Sequence, residues 1–138
     1  MRRKQLQRHN MRHLFPAFVL GFLGVSGCSG PRLRVKADSP LKEAIVKFSN
    51  EWEESPTSWG IRDQIYTVLP PGSSESKVIE HIKLHFMDGP GSRERVFGQA
   101  DEDYFYRVEA FRSRVQVWYC MKDGKLVKIV VANMRSSL

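Results

Sequence analysis

The sequence predicts an α+β fold in which N-terminal helices pack on one face of a three-stranded antiparallel meander. Apolar residues recur at helical spacing between residues 40 and 87, and aromatic and β-branched residues alternate at period two after residue 103. Asp123-Gly124 separates the last two alternating runs. This dipeptide is typical of a tight hairpin, because a type I′ turn needs positive φ at both central residues. Helices followed by a meander indicate a two-layer domain.

The first helix is predicted over residues 40–54. Asp38-Ser39-Pro40 is typical of a helix start, with a capping side chain followed by proline in the first turn. Ser55-Pro56-Thr57-Ser58 is expected to end the helix. Between them the apolar residues form one stripe, which consists of Leu41, Ala44, Ile45, Phe48 and Trp52.

Two more helices are expected before the sheet. The segment 59–69 fits both helical and strand spacing, and we favour a short helix, which Pro70-Pro71-Gly72 would end because proline cannot donate a backbone hydrogen bond. The next helix is predicted over residues 74–87. Ser73 or Ser74 would cap it, and the glycines and proline of 88–91 would terminate it.

The strands follow in sequence, over residues 103–111, 114–121 and 125–132, with a further short strand within 93–97. Alternation divides the middle strand into two faces. One face carries Val115, Val117, Tyr119 and Met121, and the other carries Gln116, Trp118 and Cys120. In the last strand Val127, Ile129 and Val131 are expected to share a face. Cys120 is expected to behave as a small buried hydrophobe.

Residues 1–27 have the organisation of a secretory signal peptide. Five of the 22 Lys and Arg residues lie in the first 13 positions, and the apolar run 14–27 is shorter than the roughly 20 residues that span a bilayer. Arg2-Arg3 leaves a twin-arginine signal as an alternative. No acidic residue precedes Asp38, so the chain after residue 27 carries 17 basic and 15 acidic residues. This near balance argues against a nucleic-acid partner.

Val25-Ser26-Gly27-Cys28 resembles the lipobox of bacterial lipoproteins, in which the cysteine thiol is acylated and cleavage leaves it as the first residue. The resemblance implies a palmitate-type anchor on Cys28 and a place in the cell envelope, facing the periplasm. Ser29, rather than Asp, favours the outer membrane. Residues 28–39 would form a solvated tether and residues 40–138 a single domain. The alternative is a secreted soluble protein that is cleaved nearby.

The segment 69–131 is similar to the SmpA/OmlA, or BamE-like, lipoprotein family. The similarity lies in Gly72-Ser73-Ser74 before Val78 and Ile82, in Gly89-Pro90 after the helix, and in two later motifs. These are Tyr104-Phe105-Tyr106 and Asp123-Gly124-Lys125. The resemblance implies two helices on a three-stranded antiparallel sheet and an envelope location. It does not define a partner, because one fold serves many functions.

Two groups of residues could carry chemistry. His81 and His85 lie one helical turn apart and are weak candidates for a metal site, which would need a third ligand. Asp101-Glu102-Asp103 lack the glycine and distal glutamate of a calcium loop and are expected to be solvated. We therefore predict no cofactor, no catalytic residue and no enzymatic activity. A small envelope hydrolase stays open as an alternative.

Exposed aromatic residues indicate a binding function instead. The strands carry more aromatic residues than a one-sided helical layer can cover, and aromatic residues interleaved with arginine are typical anchors at protein interfaces. The sequence predicts a scaffold module that binds another envelope protein through the helix-free face of the sheet. A secreted ligand-binding module is the alternative. The predicted contact residues are Tyr104, Tyr106, Trp118 and Tyr119.

Overall fold

The computed structural model describes residues 32–52, 54–98 and 100–134, so the predicted signal peptide and Cys28 lie outside the described residues. Within these ranges the helices precede the strands, which confirms the predicted α+β class. The helices are α1 (Lys42–Phe48), α2 (Pro56–Val68) and α3 (Glu75–His85), and the strands are β1 (Glu94–Arg95), β2 (Tyr104–Phe111), β3 (Val115–Lys122) and β4 (Lys125–Asn133).

The strands form one antiparallel sheet in the order β1-β2-β3-β4. The predicted meander of three strands is present, and the two-residue β1 adds a fourth strand beside the start of β2. Asp123 has a φ of 52° and Gly124 a φ of 72°. The β3–β4 connection therefore has the two positive φ values that the Asp-Gly signal predicts.

A β-bulge changes which residues of β4 face the core. Cys120 pairs with Lys128, whereas Met121 pairs with Leu126, so Val127 is the extra residue. Leu126 is buried in its place, beside Ile129. The prediction that Val127 shares the core face in strict alternation was wrong, because the bulge shifts the alternation by one residue.

The first helix is shorter than predicted. Instead of extending over residues 40–54, α1 ends at Phe48. The carbonyl oxygen of Phe48 accepts a hydrogen bond from the Asn133 side chain at 2.8 Å, and the same side chain donates to the Glu51 carbonyl oxygen at 2.7 Å, three residues after the helix ends. The chain therefore turns away before another helical turn forms. Trp52, predicted as part of the apolar stripe, is 78% exposed.

The segment predicted to end the first helix begins the second. The Ser55 side chain caps α2 by accepting from the Ser58 N–H, and the Ser58 side chain accepts from the Ser55 N–H in return. Pro56 occupies the first turn, where a backbone N–H would have no helical partner. The helical interpretation of 59–69 is confirmed and the strand alternative is wrong. In α3 the predicted helix is confirmed, but neither Ser73 nor Ser74 caps it with a side chain.

All three helices pack on the same face of the sheet. They bury their apolar stripes against alternate residues of β2, β3 and β4, so the domain has two layers and one core. The segment before α1 belongs to this domain from Arg32 onward, because Val35 is buried and pairs with Phe86. The prediction that the tether extends to residue 39 was therefore wrong. No helix in the described ranges is long and apolar enough to cross a membrane.

Candidate protein-binding face

The face of the sheet that the helices leave uncovered is here called the open face. Alternation places Phe105, Arg107, Trp118 and Val130 on it, because their neighbours along each strand point into the core. The register brings them together, since Arg107 pairs with Trp118 and Trp118 pairs with Val130 across the three strands. None of these four side chains is fully buried.

An aromatic pair forms the centre of the open face. Phe105 and Trp118 are diagonal neighbours on β2 and β3, and their rings stack with centroids 4.9 Å apart and planes 7° from parallel. The Trp118 indole N–H donates to the Gln116 side-chain oxygen at 3.1 Å. The bond and the stacking favour one orientation of the indole ring, which lowers the entropy that the side chain would lose on binding a partner.

Charged residues surround the aromatic pair. Arg107 forms an ion pair with Glu94 of β1 at 2.9 Å, and Glu109 is exposed farther along β2. At the other end Lys128 pairs with Glu102. An apolar centre inside a polar rim is the arrangement found in protein–protein interfaces.

Cys120 lies under this rim and is not a reactive group. Its side chain is buried, and burial together with the adjacent Glu102 carboxylate raises the pKa of the thiol to about 12. The thiolate, which is the nucleophilic form, is therefore negligible at neutral pH. Glu102 itself is buried, so the expectation of a fully solvated acidic triplet was wrong for this residue. Asp101 and Asp103 are exposed as predicted.

The predicted contact residues divide between the two faces. Trp118 lies on the open face. Tyr119 is 0% exposed and Tyr106 is 3% exposed, and both belong to the core under the helices. Their selection as contact residues was wrong, because they alternate with Phe105 and Trp118 and so point the opposite way.

Tyr104 also points to the helix side of the sheet, where its hydroxyl group donates a hydrogen bond to Glu75. The Glu75 carboxylate accepts from the hydroxyl groups of Tyr104 at 2.9 Å and Tyr106 at 2.6 Å, and from Arg93 at 2.8 Å. These donors hold the pKa of the Glu75 carboxyl below its usual range, with the Tyr106 bond as the largest cause. The cluster joins the first turn of α3 to β2, so its role in the described fold is to position α3 on the sheet.

His81 and His85 face a cleft of about 680 Å³ beside the end of α2. Their rings lie 4.5 Å apart, and the cleft is also lined by Lys36, Val68 and Leu84. Burial lowers the pKa of His81 to about 4, so its ring is neutral at pH 7. Nowhere in the described part of the chain do three or more His, Cys, Asp or Glu side chains come together as metal ligands.

A serine–histidine contact beside this cleft does not form a nucleophile. The Ser39 hydroxyl lies 2.8 Å from His85 Nδ1, but the same oxygen accepts the Leu41 N–H, and Ser39 is buried. A serine nucleophile needs an accessible oxygen beside its base. Here the hydroxyl group instead tethers the turn before α1 to the end of α3. The contact gives the hydrolase alternative no support.

Phe105 is the aromatic residue of the open face that the sequence interpretation missed. Alternation alone could have found it, because it lies two positions before Arg107 and pairs directly with Cys120 on the face already assigned to Trp118. No protein-family model matches the chain, and no curated protein or solved structure matches it either.

Proposed function

We propose that this protein is a lipid-anchored component of the bacterial cell envelope that binds another envelope protein through the open face. The observation that carries the proposal is the stacked Phe105–Trp118 pair, which lies on the face that the helices leave uncovered and whose indole N–H is bonded to Gln116. Tryptophan is among the residues that contribute most to binding at interfaces. A partner of matching chemistry presents an apolar side chain to this pair and polar groups to Arg107 and Glu109.

The lipobox resemblance supports the location. The helices packed on an antiparallel meander support the SmpA/OmlA resemblance, although the described fold has a third helix and a fourth strand that the resemblance does not imply. Membership of that family stays a prediction. Acyl chains on Cys28 would anchor the protein durably, since each buried methylene contributes about 0.8 kcal/mol. The outer membrane is the favoured site, and the domain faces the periplasm.

Trp118→Ala is expected to weaken partner binding by at least about 30-fold, because interface tryptophans contribute about 2 kcal/mol or more. The measurement is photocrosslinking in the native envelope, with a photoreactive amino acid at the exposed position Glu109. The expected result is a discrete adduct that Trp118→Ala removes. Binding of the partner identified from that adduct is then titrated against the intact protein and each variant.

Trp59→Ala is the matched control. Trp59 is half-exposed on α2, away from the sheet, so this change also removes an accessible indole. It is expected to leave the adduct intact, and the same probe at exposed Val68 on α2 should give none. Equal loss of the adduct in both tryptophan variants, with unchanged thermal unfolding, would argue against the open face as the binding surface.

Cys28→Ala is expected to abolish incorporation of a fatty-acid probe and to release the protein from the membrane fraction. The variant has no acyl chain to insert into the bilayer, and the basic residues alone bind the protein only weakly to the membrane surface. Cys120→Ala serves as the control and should retain full labelling, because Cys120 is buried in β3. Labelling that persists in Cys28→Ala would exclude the lipoprotein assignment and leave a secreted soluble module.

A further inference from the structure

The chain enters the domain through residues 32–36, which form backbone hydrogen bonds to β2 on one side and to α3 on the other. The Arg34 N–H donates to the Ala110 carbonyl oxygen at 2.9 Å, at the end of β2. The Lys36 N–H donates to the His85 carbonyl oxygen at 2.9 Å, at the end of α3. Residues 32–36 therefore join the last turn of α3 to the β2–β3 turn, and Arg32 has a defined place at this end of the domain.

The domain has a second end, which lies away from the chain entry. The Glu75 N–H donates to the Gly124 carbonyl oxygen at 3.0 Å, so α3 begins beside the β3–β4 hairpin and finishes beside residues 32–36. An 11-residue helix spans about 16 Å. The end of the domain at residues 32–36 is here called the entry end, and the end at the β3–β4 hairpin is called the hairpin end. The two ends are separated by at least the length of α3.

The covalent link to the proposed anchor is shorter than the domain. Cys28 precedes Arg32 by four residues, and four residues reach at most about 14 Å when fully extended. A domain of about 100 residues has a radius of gyration near 13 Å, hence a diameter of roughly 30 Å or more. If Cys28 carries the lipid, as the proposed function states, the entry end stays close to the bilayer, and the domain cannot turn over so that only its hairpin end faces the lipid.

The entry end has the chemistry of a surface that binds an anionic membrane. Two large apolar side chains are exposed there, since Leu84 is 63% exposed and Met87 is 56% exposed. Met87 lies directly beside the entering chain, because its N–H donates to the Arg34 carbonyl oxygen at 2.8 Å. Apolar side chains among basic residues are what interfacial membrane binding requires. The exposed basic residues at this end are Arg32, Lys36, Lys83 and Arg112.

Acidic residues at this end do not cancel that charge. Asp88 pairs with Arg34, with the Arg34 Nε 2.9 Å from Asp88 Oδ2, so these two charges neutralise each other. The other exposed acids near this end are Asp38, which faces His85, Glu80, which lines the cleft beside Lys36, and Glu109, whose charge acts on Arg34. The four exposed basic residues outnumber these three acids. Basic residues are therefore in excess, and anionic headgroups complement them.

We propose that the surface formed by Arg32, Lys36, Lys83, Leu84, Met87 and Arg112 rests on the anionic headgroups of the membrane that holds the lipid anchor. The strands then extend away from the bilayer, and the β3–β4 hairpin is the part of the sheet farthest from it. This orientation leaves the open face clear of lipid and accessible to a protein partner. The inference rests on the proposed function, because it takes the anchor on Cys28 as its premise.

Two cysteine variants of the full acylated protein test the orientation. Met87→Cys places a fluorescent label at the entry end, and Ser76→Cys places the same label in the first turn of α3, where Ser76 is exposed. Cys120 does not compete for the label, because it is buried. The labelled proteins are reconstituted into vesicles of phosphatidylcholine mixed with phosphatidylglycerol that contain a spin-labelled lipid quencher.

Strong quenching is expected at position 87 and little at position 76. Arg32→Gln with Arg112→Gln should reduce the docked population by about fivefold for each charge removed. Arg95→Gln is the control and should change nothing, because Arg95 is an exposed arginine on β1 that pairs with Tyr104 at the hairpin end of the domain. Equal quenching at the two positions, or equal quenching at position 87 in phosphatidylcholine alone, would overturn the inference.

Flotation of the vesicles separates this inference from its premise. If the protein floats with the vesicles but position 87 is no better quenched than position 76, the anchor stands and the orientation is wrong. If the protein isolated from the cell envelope carries no acyl chain on Cys28 and does not float, the proposed anchor fails and the inference fails with it. Thermal unfolding of each variant, followed by circular dichroism, establishes that the substitutions leave the fold intact.

Discussion

Phe48→Ala is expected to lower the free energy of unfolding by about 3–5 kcal/mol, because it removes a fully buried aromatic ring and leaves a cavity. Phe48 is the last residue of α1 and belongs to the core cluster between the helices and the sheet. Its backbone carbonyl oxygen also accepts from Asn133 of β4. Loss of the ring therefore weakens the point at which the first helix is held to the last strand.

The seven-residue α1 depends on this packing more than a longer helix would. A helix this short is unstable alone in water, where about 12–15 residues are needed even for favourable sequences. Leu41 at its start provides no side-chain cap. Tertiary contacts must therefore supply the stability of α1, and Phe48 and Ile45 supply its buried contacts.

Val46→Ala is the matched control for Phe48→Ala. Val46 lies in the same helix but is 39% exposed, so its truncation should change the free energy of unfolding by no more than about 0.5 kcal/mol. Chemical denaturation of the two variants, followed by circular dichroism, gives both values. A loss for Phe48→Ala as small as that for Val46→Ala would mean that α1 is not part of the cooperative fold.

Periodicity predicted the helices and strands because their apolar residues face one core. The period-two runs after residue 103 needed no other information, and Asp123-Gly124 defined the hairpin through local backbone preference. The end of the first helix and the start of the second could not be predicted in this way. Pro56 can end one helix or begin the next, and the difference here depends on Asn133, which lies 85 residues after Phe48.

The candidate site was only partly predictable, for a related reason. Trp118 was assigned to the correct face by alternation, whereas Tyr119 was chosen for its chemistry against the same alternation. Tyr104 and Tyr106 point to the helix side because β2 alternates in register with β3. Their hydrogen bonds to Glu75 join residues about 30 positions apart, and no local pattern in the sequence specifies such a pairing.

The protein is expected to lose stability as the pH falls below 6.5, and His81 is the main cause. Burial lowers its pKa from 6.5 to about 4 in the folded state, with the neighbouring His85 adding a smaller effect in the same direction. Between these two pH values the unfolded chain binds a proton that the folded protein does not. Stability from this group is therefore complete above pH 6.5 and falls by about 1.4 kcal/mol for each pH unit below it.

Measurements from pH 7 down to about pH 5 report on His81 and His85, because the Glu75 and Asp88 carboxylates take up protons only at lower pH. Glu75 and Asp88 have pKa values below their usual 4.5 and 3.8, so their contributions are lost only as the pH falls further. The expected loss in this window is about 2 kcal/mol. Denaturant unfolding at each pH provides the measurement.

His81→Leu should remove most of this pH dependence, because leucine keeps an apolar side chain of similar size and cannot take up a proton. His85→Gln is the matched control. Burial also lowers the pKa of His85, but its ring is less enclosed and bonds to Ser39, so this variant should retain most of the slope. If the slope were unchanged in His81→Leu and abolished in His85→Gln, the acid sensitivity would belong to His85, and the prediction for His81 would be contradicted. The buried Nε2 of His81 has no hydrogen-bond partner among the described residues, so a proton added there has no acceptor, and this supports the loss of the slope in His81→Leu.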